Sequence, residues 1–242
     1  MRAIMLMFDS LNRRMLSPYH HLPGAYSWVQ TSQFSRLAEH SVTFDNAYVG
    51  SMPCMPARPE LHTGRYNFLH RSWGPLEPFD DSMPGQLRDA GIHSHLASDH
   101  YHYWEDGGAT YHTRYSTWEG FRGQDGDWWV PDLREVNEPE LLNNPRPVRR
   151  LRQDHVNRLH MADEADMPQP RIFAAGLEFL AMNHEVDNWF LHLETFDPHE
   201  PYFSSERFRA LYPHVYEGLQ FDWPNYAPVI ETDDQVCSIC AI

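Results

Sequence analysis

The chain has 242 residues, 41% of them hydrophobic and 14% aromatic, which is enough to build a core and excludes a disordered or fibrous protein; at roughly 100–200 residues per domain, it holds one large domain or one and a half. Its formal net charge is -15 at pH 7, which argues against nucleic acid as a partner, because phosphate binding needs basic stripes. It contains no lysine, so an anionic ligand would have to be met by arginine, histidine and a metal ion gathered locally.

In chain order, residues 2–8 are apolar and unbroken, as expected of a buried parallel strand that stops at Asp9-Ser10. This run is too short for a signal core, and no apolar run approaches the about 20 residues of a membrane span. Residues 26–39 carry apolar side chains near helical spacing and predict a helix. Val42 to Val49 alternates as a strand does. Gly50 to Pro56 reads as a loop, with helix from Arg58 onward. Ser82 to Gly91 predicts a helix with Ser82 as its N-cap and Gly91 as its stop, and His93 to Ser98 a third strand. Residues 104–168 are polar, rich in Gly, Pro, Asp and Trp, and nearly without periodicity, as in an insertion elaborating the active-site side. Gln169 to Asn183 predicts a helix and Trp189 to Leu193 a fourth strand, ending near Asp197-Pro198-His199. Strands alternating with helices argue for an α/β fold with a largely parallel sheet, in which ligands gather at the carboxyl ends of strands.

The residues with chemical potential fall at those ends. Asp9 can bind a hard cation through oxygen, or simply shape a turn. Cys54 alone would be a small buried hydrophobe, but Cys54-Met55-Pro56-Ala57-Arg58 adds a proline and then an arginine at a spacing that shares a helix face with position 54. Asp99-His100-Tyr101-His102 places two histidines on one side of an extended chain. They are a metal or oxyanion pair, or two surface histidines in a chain that has 16. His199 lies between Pro198 and Pro201, which restrict its backbone. The arginines from Arg146 to Arg152 read as a solvated face, and Trp104, Trp128 and Trp129 as packing. Cys237 and Cys240 form a lone C-x-x-C pair near the end of the chain. With three cysteines in all, reduced thiols and a cytoplasmic location are expected.

The order strand-Asp9, C-x-P-x-R with Thr63-Gly64-Arg65 downstream, His100-x-His102 and Asp197-Pro198-His199-Glu200-Pro201 resembles the amino-terminal part of the sulfatase family, in the alkaline-phosphatase-like superfamily. The resemblance covers nearly the whole chain. It implies an α/β domain over 1–242, interrupted by the insertion at 104–168, and a sulfuric ester hydrolase activity. It also implies that Cys54 is oxidised by a formylglycine-generating maturation enzyme, binds the metal as formylglycine and attacks the sulfur of a small sulfate ester. Asp9 would then bind a divalent metal, usually Ca2+ in this family, with Mg2+ or Mn2+ as alternatives. Arg58 would stabilise the formylglycine hydrate. His102 matches the histidine of a Lys-x-His pair, with His100 standing on the substrate side where lysine is usual. His199 would contact the sulfate or protonate the leaving oxygen. Ser10 occupies the place of a frequent second aspartate, which keeps phosphonate or phosphate monoesters open as substrates. The family's later Asp-His-Gly or Asp-Asn-Gly ligands and its carboxyl-terminal subdomain do not occur before Ile242, so a truncated gene product, inactive in this form or a non-catalytic remnant, is a further expectation.

Overall fold

The structure is a computed structural model that describes residues 1–67, 71–106, 110–137, 148–213 and 223. Its centre is a four-stranded, wholly parallel sheet in the order β1-β4-β2-β3, formed by β1 (Arg2–Phe8), β2 (His93–Ser98), β3 (Thr117–Gly120) and β4 (Trp189–Thr195). The helices are α1 (Ser32–Ala38), α2 (Cys54–Thr63), α3 (Met83–Asp89), α4 (Val148–Arg158), α5 (Pro168–Met182) and the single turn α6 (Glu206–Arg209).

Two cores flank the sheet, and the period of two along each strand sorts side chains between them. Phe190 of β4 and Leu96 of β2 join Met55 of α2, with Met83 and Leu87 of α3 packed on the same cluster. Leu191 and Leu193 of β4 and Ala97 of β2 join Ile172 and Phe179 of α5 on the other face. β4 is buried along its whole length because it has a strand on both sides and a helix layer on both faces. Among the described residues no helix is long and apolar enough to cross a membrane.

The sheet departs from the sequence reading in instructive ways. Among the described residues β1 has β4 as its one neighbour and is not fully buried: Ile4 and Leu6 are 51% and 47% exposed on the α5 side of the sheet. An unbroken apolar run cannot distinguish a central strand from an edge one. The helix expected over 26–39 is confined to α1, with turns before it. Residues 42–49 form no strand, and Val42, Phe44, Tyr48 and Val49 are exposed. Alternation describes one strand's two faces, whereas a strand exists only if a neighbour supplies its hydrogen bonds. The segment expected to be loop through Pro56 is already helical at Cys54. Pro56 sits in the first turn, where the missing N–H has no intrahelical partner to lose. Within 104–168 the sheet gains β3 and the chain adds α4, both too short or too polar to show in periodicity. The Ser82-capped α3, β2, α5 and β4 lie where the sequence places them, with Ser82 Oγ accepting from the Gly85 N–H at 3.3 Å. Cys237 and Cys240 lie outside the described residues.

Gly176 lets α5 approach the sheet, since a Cβ there would lie 2.5 Å from Leu193 Cδ1. Gly176→Val overfills this contact and should cost about 1–3 kcal/mol of unfolding free energy. Urea unfolding of the two proteins measures it, and an unchanged midpoint would show that α5 does not seat as described.

Candidate active site

The carboxyl ends of β1, β2 and β4 meet the amino end of α2, and the chemically capable side chains converge there. Asp9 follows β1 directly, its N–H extending the ladder to the Thr195 carbonyl at 2.9 Å. Asp99 and His100 follow β2, and His199 follows β4. Cys54 is the first residue of α2. The approach to α2 is anchored by Glu60, which accepts from Ser51 Oγ at 2.8 Å and from the Asn67 N–H at 2.7 Å. Asn67 in turn donates to the Pro56 carbonyl at 3.1 Å. The helix closes at Gly64, whose φ of 67° suits a residue without a side chain. Arg65 points away, toward the exposed Asp81.

Arg58 organises the floor of the site. Its guanidinium is buried, and it donates to Glu194 Oε1 from Nε at 3.0 Å and from Nη2 at 2.7 Å. Nη2 also reaches Asp9 Oδ2 at 2.9 Å, and Nη1 the Cys54 carbonyl at 3.1 Å. Burial works against the guanidinium's charge, but Glu194, then Tyr103 and Asp9, outweigh it and hold Arg58 more firmly protonated than usual. Glu194 is fully buried and accepts in addition from Ser98 Oγ and Tyr103 Oη, each at 3.1 Å. Such a lattice tolerates buried charge only because every member is paired.

Above this floor sits Cys54. Burial first, then the neighbouring Asp9 carboxylate, pushes its thiol up to about 12, although Arg58 pulls the other way. At neutral pH Cys54 is therefore a protonated thiol and a poor sulfur nucleophile. Asp9, Cys54 and His100 each bring a ligating atom within 4.8 Å of the others. His100 is fully buried, its Nε2 lies 3.8 Å from Asp9 Oδ2, and neither ring nitrogen makes a hydrogen bond among the described residues. Burial, reinforced by Arg58, His102 and His199, holds its pKa well below the ordinary histidine value. A neutral His100 is thus no electrostatic replacement for a lysine. Ser10, at φ 56°, spends its hydroxyl on Asp9 Oδ1 at 3.1 Å.

His102 lies in a single 3-10 turn, Tyr101–Tyr103, rather than in extended chain, yet its ring stays 5.4 Å from that of His100. Its Nδ1 donates to Glu105 Oε1 at 2.8 Å, and its Nε2 is 3.9 Å from Asp125 Oδ2. Asp125 is buried at φ 51° in the turn after β3, ion-paired with Arg150 of α4, whose Nε donates to the Asp125 carbonyl at 2.9 Å. His199 is buried against Phe196, with Nδ1 bonded to the Glu200 carbonyl at 2.6 Å. That bond places the proton on Nδ1 and leaves Nε2 as the basic nitrogen.

The structure thus brings Asp9, Cys54, Arg58 and His100 into direct contact or near-contact, with His102 in ring contact with His100 and His199 close enough to lower its pKa. Sequence reasoning missed Glu194, Tyr103 and Asp125. For Glu194 there was a signal: a single carboxylate inside the apolar run 189–195 has to be paired if that strand is buried. Asp125-Gly126 marks a turn in the sequence, but nothing there places its carboxylate beside His102.

Comparison with known proteins follows the same lines. The family model described as Sulfatase matches residues 3–235. The uncharacterized sulfatase YidJ of Escherichia coli is 27% identical over 211 residues, covering 82% of this chain and 40% of its own length. The choline-sulfatase of Rhizobium meliloti is 23% identical over 228 residues, covering 86% and 40% respectively. The crystal structure of the phosphonate monoester hydrolase of Agrobacterium radiobacter superposes with a TM-score of 0.57 at 20% identity, over 88% of this chain and 44% of that one. The fold is the alkaline-phosphatase-like one, and the chain spans about 40% of the length of the curated relatives it matches.

Two predictions follow from the floor of the site. Glu194→Leu strands the Arg58 charge and should cost about 3–5 kcal/mol of stability, read by urea unfolding; a change under about 1 kcal/mol would mean the lattice is not formed. Burial raises the Asp197 carboxyl to about 6, although Gln124 and His199 favour its charged form. A carboxyl raised on folding stabilises below its unfolded pKa and loses that contribution as pH rises through the folded value. Wild type should therefore lose stability relative to Asp197→Asn between about pH 4 and pH 6, and parallel stability curves would contradict the assignment.

Proposed function

Given that this chain belongs to the sulfatase family, we propose that it is the nucleophile-bearing part of a sulfuric ester hydrolase whose Cys54 is oxidised to formylglycine by a maturation enzyme. The observation that carries this reading is the position of Cys54. It stands on the first turn of α2, within 4.8 Å of Asp9 and His100, with Arg58 bonded to its carbonyl, while its own thiol stays protonated. An oxygen nucleophile generated at this position has a use for that setting, and a neutral thiol has little.

A divalent cation fits the residues present. Asp9 offers a carboxylate, formylglycine would offer hydroxyl oxygens, and His100 faces the same point with two nitrogens that lack partners. An oxygen-rich set suits Ca2+ or Mg2+, and the cation, when bound, supplies charge that stabilises an oxyanion. The chain's own residues do the rest. Arg58 fixes Asp9 and the first turn of α2 in one geometry, acting as a positioning residue because its donors are committed to Glu194, Asp9 and Cys54. His102, oriented by Glu105 through Nδ1, serves as an Nε2 donor to a sulfuryl oxygen in its imidazolium form, beside the Asp125 carboxylate at 3.9 Å. His199, with its Nδ1–H held by the Glu200 carbonyl, takes a proton on Nε2, and in that imidazolium form delivers it to the departing alkoxide. The substrate is then a small sulfate ester, with the turn holding Asp125 bordering its organic half.

A phosphonate or phosphate monoester is the second reading. Ser10 favours it: the residue beside Asp9 adds no carboxylate and bonds Asp9 instead, so the site carries less negative charge against a more highly charged substrate.

Produced with a maturation enzyme and supplied with Ca2+, the protein should hydrolyse an aryl sulfate. His199→Ala should lower kcat by about 10²–10⁴-fold, and Cys54→Ala should bring it to background. Faster turnover of an aryl phosphonate would favour the second reading. Absence of both activities in protein verified to carry formylglycine would leave a non-catalytic chain.

A further inference from the structure

Before any oxidation, Cys54 carries sulfur, and the three side chains around one point then form a different kind of site. Asp9 supplies a carboxylate oxygen, Cys54 a sulfur and His100 an imidazole nitrogen, all within 4.8 Å of one another. All three are buried, on three separate elements: the end of β1, the start of α2 and the end of β2. His100 is the independent sign that a ligand belongs here. It is fully buried, its backbone is pinned by a bond from its N–H to Ser98 Oγ at 3.0 Å, and its ring is packed by Tyr103 and Phe196. Yet among the described residues neither Nδ1 nor Nε2 has a hydrogen-bond partner. A buried imidazole with neither nitrogen satisfied carries a desolvation cost that a coordinate bond would offset.

We propose that in chains whose Cys54 remains a thiol, Asp9, Cys54 and His100 form a three-point site for a borderline-soft divalent cation, zinc above all. Three protein ligands of S, N and O type match zinc's preference, and a water would complete the usual four-coordinate shell. Calcium takes six to eight oxygens and gains little from sulfur or imidazole. Binding is balanced by release of the thiol proton to solvent as the sulfur–metal bond forms. Asp9 can take part without leaving the lattice below it, because Arg58 and Ser10 engage one oxygen each and a carboxylate oxygen has two lone pairs. Conversion of Cys54 to formylglycine removes the sulfur and turns the donor set toward harder cations. The same pocket therefore changes metal class with the chemical state of one residue, and zinc on the thiol form shields Cys54 from alkylation. This inference concerns the unconverted chain, so it stands or falls independently of sulfatase turnover.

The test uses the full chain carrying Cys237→Ser and Cys240→Ser, which removes the other two thiols, produced without a maturation enzyme and verified by mass to hold an intact Cys54. After chelator dialysis it is titrated with Co2+. The expected result is one equivalent bound, with a thiolate-to-cobalt charge-transfer band and tetrahedral visible absorption, both bleached by Zn2+. Cys54→Ser should abolish the charge-transfer band. His100→Gln should weaken binding by at least about tenfold, since even outer-shell partners of a metal site are worth that much, with circular dichroism confirming that each variant is folded. Zn2+ should also slow alkylation of Cys54 in the parent by at least the same factor, a readout that needs no site variant. A cobalt spectrum that stays octahedral without charge transfer, binding unchanged in Cys54→Ser, or alkylation indifferent to zinc would each overturn the proposal.

Discussion

The arrangement depends on one buried cation. Arg58 cannot shed its proton, and it is enclosed where an unpaired charge would be prohibitive. Its donors must therefore be met by groups that themselves arrive from distant parts of the chain: Asp9 from the end of β1, Glu194 from β4 and the carbonyl of Cys54 one helical turn away. Satisfying one guanidinium thus fixes the distance between two strand ends and the start of α2. The site's geometry is a by-product of that electrostatic requirement. In a chain without lysine, arginine's planar fork supplies three directions at once, which an ammonium group would not do with the same rigidity.

The parallel sheet converts this local demand into a crevice. All four strands run the same way, so their carboxyl ends share one edge, and the loops that leave them carry Asp9, Asp99, His100 and His199. β4 lies between β1 and β2, so Glu194 stands between Asp9 and Ser98 and can serve both sides. Residues beyond β2 add the outer wall. Asp125 and Arg150 join it from a turn and a helix that touch each other more than they touch the sheet. That wall is where differences in the organic half of a substrate would be read, since the floor is already committed.

What the sequence disclosed follows from what sequence patterns measure. Strand ends, the C-x-P-x-R run and the histidines were visible because each depends on local spacing: Cys54 and Arg58 are one turn apart on α2, and β2 and β4 are short apolar runs with clear stops. The failures were failures of long-range information. Among the described residues, 42–49 alternate correctly but meet no partner strand, and β1 reads as buried although only β4 lies beside it. Glu194 was legible as an anomaly, whereas Asp125-Gly126 reads only as a turn, and a turn pattern does not reveal that its carboxylate is buried beside His102. His100 illustrates the limit most clearly. Spacing places it at the site, but only its burial shows that it is neutral and lacks a partner.

The account makes Cys54 a precursor whose surroundings suit an oxygen nucleophile rather than a thiol. The most direct measurement is the mass of the proteolytic peptide that contains Cys54, taken from protein produced together with a formylglycine-generating enzyme. The account predicts a peptide lighter than the thiol form by the conversion of cysteine to formylglycine, and one that reacts with a hydrazide through its aldehyde. An intact thiol throughout, under conditions in which the same enzyme converts a control sulfatase peptide, would contradict it.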